Sequence, residues 1–283
     1  MLVRFLLLAL AIFAIGTATA TTQENRRTIH WMLTGVPPKF IPDGPLRGTG
    51  YGEQQMAYLA KRLPQFEHRL ELVTPARLWH EMQTGEGVCS IDIADLPERE
   101  KWAVFTRHQT SIPGYRMLVL RDRLAEFAPF RLSDGTIDLE RLAASDRLTG
   151  IYVASRHYTP QINGFIGSAL RKIPLESTSA STKIFEMIAS RRGDFSFASV
   201  TEMNYFAALA AATPAHAKLW PPLAMLAIKG GGGQVHGHIA CSRDPLGLQM
   251  VETADRLFDD EAAWNAFLAP QQRWLAEVPL AGR

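Results

Sequence analysis

From residue 28 to residue 93 the chain alternates between two kinds of hydrophobic spacing, and few folds accept that alternation. TIHWML (residues 28–33) is rich in β-branched and aromatic residues and reads as a strand. Residues 53–63 carry Met56, Leu59, Ala60 and Leu63 at helical spacing, and Pro64 stops the run. Residues 70–73 form a second strand, Pro75–Thr84 a short helix with Leu78 and Met82 on one face, and Val88–Ile93 a third strand. Strand, helix, strand, helix, strand is the order of a parallel sheet whose crossovers are helices.

After a further strand at residues 115–120 the order starts again. Strands are expected at residues 149–153, 173–176 and Phe195–Ala198, with helices running from the ASRHY stretch to about residue 170, over residues 181–191, and over residues 202–212. The chain then passes through LAMLAIKGGGGQVHGHIACSRD, read as two strands joined by a four-glycine turn. An amphipathic helix over Pro245–Phe258 and a last helix carrying Trp264, Phe267 and Trp274 complete it.

The N-terminus sets the compartment. Arg4 precedes an unbroken apolar run over residues 5–15, and Ala18-Thr19-Ala20 is a small-residue cleavage site, so residues 1–20 read as a secretory signal peptide cut near Ala20. The run is too short to span a bilayer comfortably. The chain is therefore expected in the periplasm. Removing residues 1–20 takes only Arg4 from the 30 basic residues and leaves the 28 acidic ones, and so near-neutral a balance gives no electrostatic case for nucleic acid.

Cys89 and Cys241 are the two cysteines. In an oxidising compartment such a pair is either a disulfide or two buried thiols, and a bridge requires VCSI and HIACS to be neighbouring strands. If they are bridged, the last third of the chain returns to the first unit. Lobe I would then comprise residues 21–118 and 228–283, lobe II (residues 119–227) would be inserted into it, and two crossing strands would form the hinge.

Several side chains stand out within this frame. Arg99 lies just beyond the end of the Val88–Ile93 strand, with Pro97 read as a helix start and Glu98 and Glu100 in its first turn. Ligands of open α/β sheets collect at that edge, and a guanidinium there suits a carboxylate or phosphate. The other reading is a solvated helix end paired with Glu98 or Glu100. Phe40 and Tyr51 sit on the Pro- and Gly-rich loop after the first strand, where an aromatic either stacks on a ligand or closes the core. His236 and His238 alternate along one strand, but no third ligand of matching spacing follows, so no metal is expected. The glycine run lacks the Lys-Ser/Thr of a phosphate loop, and no G-x-S-x-G appears.

Taken in order, PPKF, DG, a Gly-Tyr element opening a helix, a short strand, PEREKWAVFT, a second lobe and a late strand followed by DPLG resemble the type II periplasmic solute-binding proteins. The likeness is to polar amino-acid receptors of ABC importers, bacterial extracellular solute-binding family 3, in a less characterised proteobacterial branch. It implies an α/β fold of two lobes, each a mostly parallel sheet flanked by helices, closing on a small ligand by a hinge motion. It further implies that Arg99 clamps a ligand carboxylate and that Phe40 lines lobe I. Asp92 and Ala94 would contact the ligand ahead of the arginine, and Ser155 and Arg156 would stand at the start of a lobe II helix. One departure is evident. Amino-acid receptors place an acidic residue for the ligand ammonium where this chain has Ser199, with Glu202 or Asp92 as substitutes.

The expected function is capture of a small carboxylate-bearing ligand for an ABC permease, by a monomer needing neither cofactor nor metal. A receptor feeding a membrane sensor is the alternative. An enzyme related to cyclohexadienyl dehydratase is a third reading, not preferred because position 199 lacks a catalytic acid.

Overall fold

The computed structural model describes residues 27–154, 156–212, 222–231 and 233–276. The expected signal peptide and Ser155 lie outside the described residues. The described residues form two five-stranded sheets, each flanked by helices.

The first sheet has the order β2-β1-β3-β10-β4. Its strands are β1 (Arg27–Thr34), β2 (Phe66–Val73), β3 (Val88–Ile93), β4 (Ala103–Pro113) and β10 (Gln234–Ser242). β1 pairs parallel with β2 and β3, and α1 (Tyr51–Arg62) and α2 (Pro75–Thr84) make the crossovers. β10 pairs antiparallel with both β3 and β4, so four of the five strands run one way. The second sheet repeats this plan in the order β7-β6-β8-β5-β9. It comprises β5 (Arg116–Leu120), β6 (Gly150–Val153), β7 (Lys172–Leu175), β8 (Phe195–Ala198) and β9 (Leu223–Leu226), and β5 is its reversed strand. Between β5 and β6 come a 3-10 segment (Arg121–Phe130) and a short α3 (Leu139–Ala143); α4 (Pro160–Ser168), α5 (Ala180–Ala189) and α6 (Val200–Ala212) complete this lobe.

The return to the first lobe is cross-linked. Cys89 on β3 and Cys241 on β10 face each other in the ladder and form a disulfide with Cα atoms 4.0 Å apart. The DPLG segment explains the turn that follows. Asp244 caps α7 (Pro245–Phe258) by accepting from the backbone N–H groups of Leu246 and Gly247, and its other oxygen accepts from Gly87 N at 3.1 Å, just before β3. Helices α7 and α8 (Glu261–Gln272) then bury Met250, Phe258 and Phe267 against the Trp31 side of the first sheet. Trp274, read as part of the last helix, lies just beyond it. It enters a cluster with Ile41 and Tyr51 of the first lobe and Tyr205 and Phe206 of the second.

Four expectations are corrected. Residues 97–102 form two consecutive hydrogen-bonded turns, closed on Leu96 O and Arg99 O, and no helix, because β4 starts at Ala103 and ends the run. β4 itself escaped the sequence reading, since half its residues are polar and its alternation is broken. The change of lobe expected after residue 118 falls between Pro113 and Arg116, because Arg116, Met117 and Leu118 pair with β8 in the second sheet. The two strands flanking the glycine run form no hairpin; β9 and β10 belong to different sheets, and the glycines carry the chain between lobes. There Arg116 Nη1 donates to Gly114 O and Gly231 O at 3.0 and 3.1 Å, and Gly114 N donates to Gly233 O at 2.8 Å, tying the two crossings side by side.

The disulfide closes a loop of 152 residues. Reduction, or a Cys89→Ala/Cys241→Ala variant, is expected to lower unfolding free energy by about 2–5 kcal/mol, seen as a lower urea midpoint.

Candidate ligand-binding cleft

A cavity of about 140 Å³ opens between the two lobes, room for a small solute and not for a folded partner. The first lobe contributes the loop after β1, Trp79 of α2, and Asp92, Ala94 and Arg99 around the end of β3. The second contributes Arg156, Ser199 and Glu202, and the crossings contribute Tyr115 and His236. At its rim the lobes touch. A Cβ at Gly35 would stand 1.6 Å from the Thr178 carbonyl oxygen, so only glycine permits this approach. Alongside, Ala76 N at the start of α2 donates to Glu176 Oε1 at 3.3 Å.

A defect in the ladder aims Asp92 into this cavity. His238 pairs with Ile93 and Ala240 with Ser90, so β3 carries one extra residue opposite β10. The bulge puts Asp92 in the left-handed region, with φ of 54°. Gly237 on β10 has no Cβ because one would lie 2.6 Å from Asp92 Cα. The carboxylate is held on both oxygens: Tyr51 donates its hydroxyl to Oδ2 and Thr110 donates to Oδ1, each at 2.6 Å. Burial, reinforced by Asp92, raises the Tyr51 pKa well above its usual value, which keeps this phenol a donor. Tyr51 thus lines the cleft as a positioning group for Asp92.

Arg99 reaches the cleft from the turn after β3. Its guanidinium lies 4.2 Å from the Trp79 ring centroid and donates through Nη1 to Ala94 O at 2.9 Å. It is 8 % exposed and has no ion-pair partner among the described residues, which removes the reading as a solvated arginine paired with Glu98 or Glu100. Burial lowers its pKa and Glu98 offsets only part of that, so this cation is held without a direct countercharge.

Phe40, expected on the cleft wall, is packed instead in the first lobe's core with Met56 and Leu59. The neighbouring residue faces the cavity. Lys39 is 8 % exposed, and among the described residues its Nζ makes one hydrogen bond, to Ile91 O at 3.5 Å. Burial lowers the Lys39 pKa, with Asp92 acting against that shift. Sequence reasoning missed this residue; the one available signal was a charged side chain between two prolines and a core phenylalanine.

On the second lobe, Arg156 and Glu202 form a buried pair, Nη1 to Oε1 at 3.2 Å, with the glutamate 2 % exposed. Ser181 bridges them: Arg156 Nη2 donates to its Oγ at 2.8 Å and that hydroxyl donates to Glu202 Oε1 at 2.9 Å. Ser199 N and Oγ donate to Glu202 Oε2 at 3.0 and 3.2 Å. Burial works against the Arg156 charge, yet Glu202 overrides it and holds Arg156 firmly protonated. Arg156 does not start a helix as expected, because α4 begins at Pro160 behind the Thr159 cap; its side chain, not the backbone, brings it to the cleft. Ser199 lines the cavity, and its side chain is committed to Glu202 and Thr201.

His236 and His238 part company. His236 lines the cavity with Nδ1 at 2.8 Å from Ser111 Oγ, whereas His238 Nδ1 lies 2.7 Å from Thr106 O inside the first lobe. Among the described residues no three His, Cys, Asp or Glu side chains converge as a metal site.

Two outcomes follow from this geometry. Glu202→Gln strands Arg156 as a buried charge and is expected to cost about 3 kcal/mol or more of unfolding free energy in urea titration. Gly35→Ala forces the rims apart, giving a larger radius of gyration by small-angle X-ray scattering and weaker binding of any cleft ligand.

No family model and no curated protein sequence matches this chain. Solved structures do. A mutant of ArgBP from T. maritima superposes with a TM-score of 0.64 at 17 % identity, covering 90 % of this chain and 97 % of that one. A histidine kinase sensor domain with similarity to periplasmic binding proteins gives 0.64 at 13 % identity, covering 89 % and 97 %. An ancestral amino acid-binding protein, a precursor of cyclohexadienyl dehydratase, gives 0.62 at 16 % identity, covering 88 % and 96 %. With coverage of nearly both whole chains in each case, this protein has the two-lobed α/β fold of the type II periplasmic solute-binding proteins.

Proposed function

We propose that this protein is an exported solute receptor that closes its two lobes on a small carboxylate-bearing ligand and delivers it to an ABC importer. The observation that carries the reading is Arg99, a buried guanidinium facing the interlobe cavity with no ion pair among the described residues. A carboxylate seated on its free N–H groups would supply the missing countercharge in a site largely cleared of water. The touching rims at Gly35 and the two adjacent crossings support capture by hinge closure. The Ala18-Thr19-Ala20 segment and the Cys89–Cys241 bridge support action in an oxidising compartment outside the cytoplasm.

A receptor that signals instead of importing is favoured by the likeness to a kinase sensor domain. The dehydratase-like reading has less support. Glu202, the acid nearest position 199, is occupied by Arg156, Ser181 and Ser199 and is not left open as a general base.

A thermal-shift screen of small carboxylic acids tests the proposal. A ligand present at about 100 times its Kd should stabilise the protein by about 2.7 kcal/mol. Arg99→Gln is expected to remove the shift. A carboxylate whose shift survives that substitution would take Arg99 out of the site and overturn the reading.

A further inference from the structure

Besides its two crossings, the chain ties its lobes together a third time. Helix α8 belongs to the first lobe, with Phe267 in that lobe's core. Just past its end, Trp274 has passed to the second. Asn204 of α6 donates through Nδ2 to Trp274 O at 2.9 Å and to Ala276 O at 2.7 Å. The indole is 2 % exposed, its ring centroid 6.3 Å from that of Tyr205, in the cluster that joins Ile41 and Tyr51 of the first lobe to α6. Neither Asn204 nor Trp274 lines the ligand cavity.

This tie is short and only partly satisfied. Arg273 alone separates the end of α8 from Trp274, and one extended residue spans about 3.3–3.6 Å, so the lobes have little slack to part with both ends attached. Burial of the ring and the two bonds from Asn204 favour attachment. Against them, Trp274 Nε1 and Gln271 Nε2 are buried with no hydrogen-bond partner among the described residues, and release would return both donors to water. A contact with contributions of both signs can be made and broken. It is made here while the rims meet at Gly35 and Thr178, with the cleft closed.

We infer that the segment carrying Trp274 is a strap from α8 to α6 that holds the lobes in the closed arrangement and lets go when they part. Trp274 and Asn204 then set the balance between open and closed protein without touching the ligand. Any ligand that binds the closed arrangement loses affinity in proportion to the closed fraction lost with the strap. The strap acts on the lobe angle and does not rest on which ligand the cleft takes.

Small-angle X-ray scattering of the ligand-free protein tests this with Trp274→Ala, Asn204→Ala and Trp274→Phe. Both alanine variants should show a larger radius of gyration than wild type while still melting in one cooperative transition, and Trp274→Phe, which keeps a buried ring, should stay near the wild-type value. Asn204→Ala removes two hydrogen bonds and leaves the ring in place, so it carries the test if Trp274→Ala fails to fold. Fraying of the C-terminal segment is separated from lobe opening by adding Ala76→Cys and Glu176→Cys, at positions in contact across the rim, and joining them with a short bismaleimide. The cross-link should return the radius to the wild-type value. An unchanged or smaller radius in the folded alanine variants, or an increase that persists across the cross-link, would overturn the strap and leave carboxylate binding at Arg99 standing.

Discussion

The pairing of β10 with β3 and β4 is the contact on which this molecule depends. It brings residues 234–242 back to a sheet begun at residue 27, after the whole second lobe has been laid down. The disulfide makes the return covalent, and the Asp244 bonds to Gly87, Leu246 and Gly247 fasten the start of α7 to the same edge. Without it the first lobe would lose its fourth strand and the seat of the helices that cover it. The second lobe would hang on one crossing instead of two.

That pairing is also imperfect in a productive way. β3 and β4 both carry extra residues where β10 passes His238 and Ala240, and the register shifts there. An unbroken ladder would alternate side chains above and below the sheet. The bulge instead turns Asp92 into the cavity, and the backbone cost of its left-handed conformation is offset by two hydroxyl hydrogen bonds and by the space that Gly237 leaves. The scaffold and the site thus share one set of hydrogen bonds.

Around Asp92 the cleft gathers more charge than a protein interior holds without compensation. Arg156 has Glu202 built into the same wall, whereas Lys39 and Arg99 rely on backbone carbonyls and, for Arg99, on the Trp79 face. This imbalance gives the cavity its chemical direction. It also accounts for the departure at Ser199. The acid expected there is present three residues later as Glu202, folded back on Ser199 and neutralised by Arg156, and it serves the wall of the second lobe.

Much of this was legible in residue order. The alternation of strand and helix spacing, the Pro and Gly punctuation, and two cysteines in strand-like runs determined an α/β chain of two units, because hydrophobic period and turn chemistry act over a few residues and need no partner. Arg99 stood out the same way, from its place after a strand, but residue order left a solvated helix end open beside a place in the cleft. What the tertiary structure decided depends on contacts between distant segments. Phe40 turned into the core and Lys39 into the cleft, since loop direction after Pro38 is set by the packing of α1 and not by its own composition. The short turns from Pro97, the mixed strand β4 and the change of sheet at Pro113 likewise follow from where β10 returns. Side-chain period gives a residue its face. Which charges meet across that face is fixed only when the last third of the chain comes back to the first.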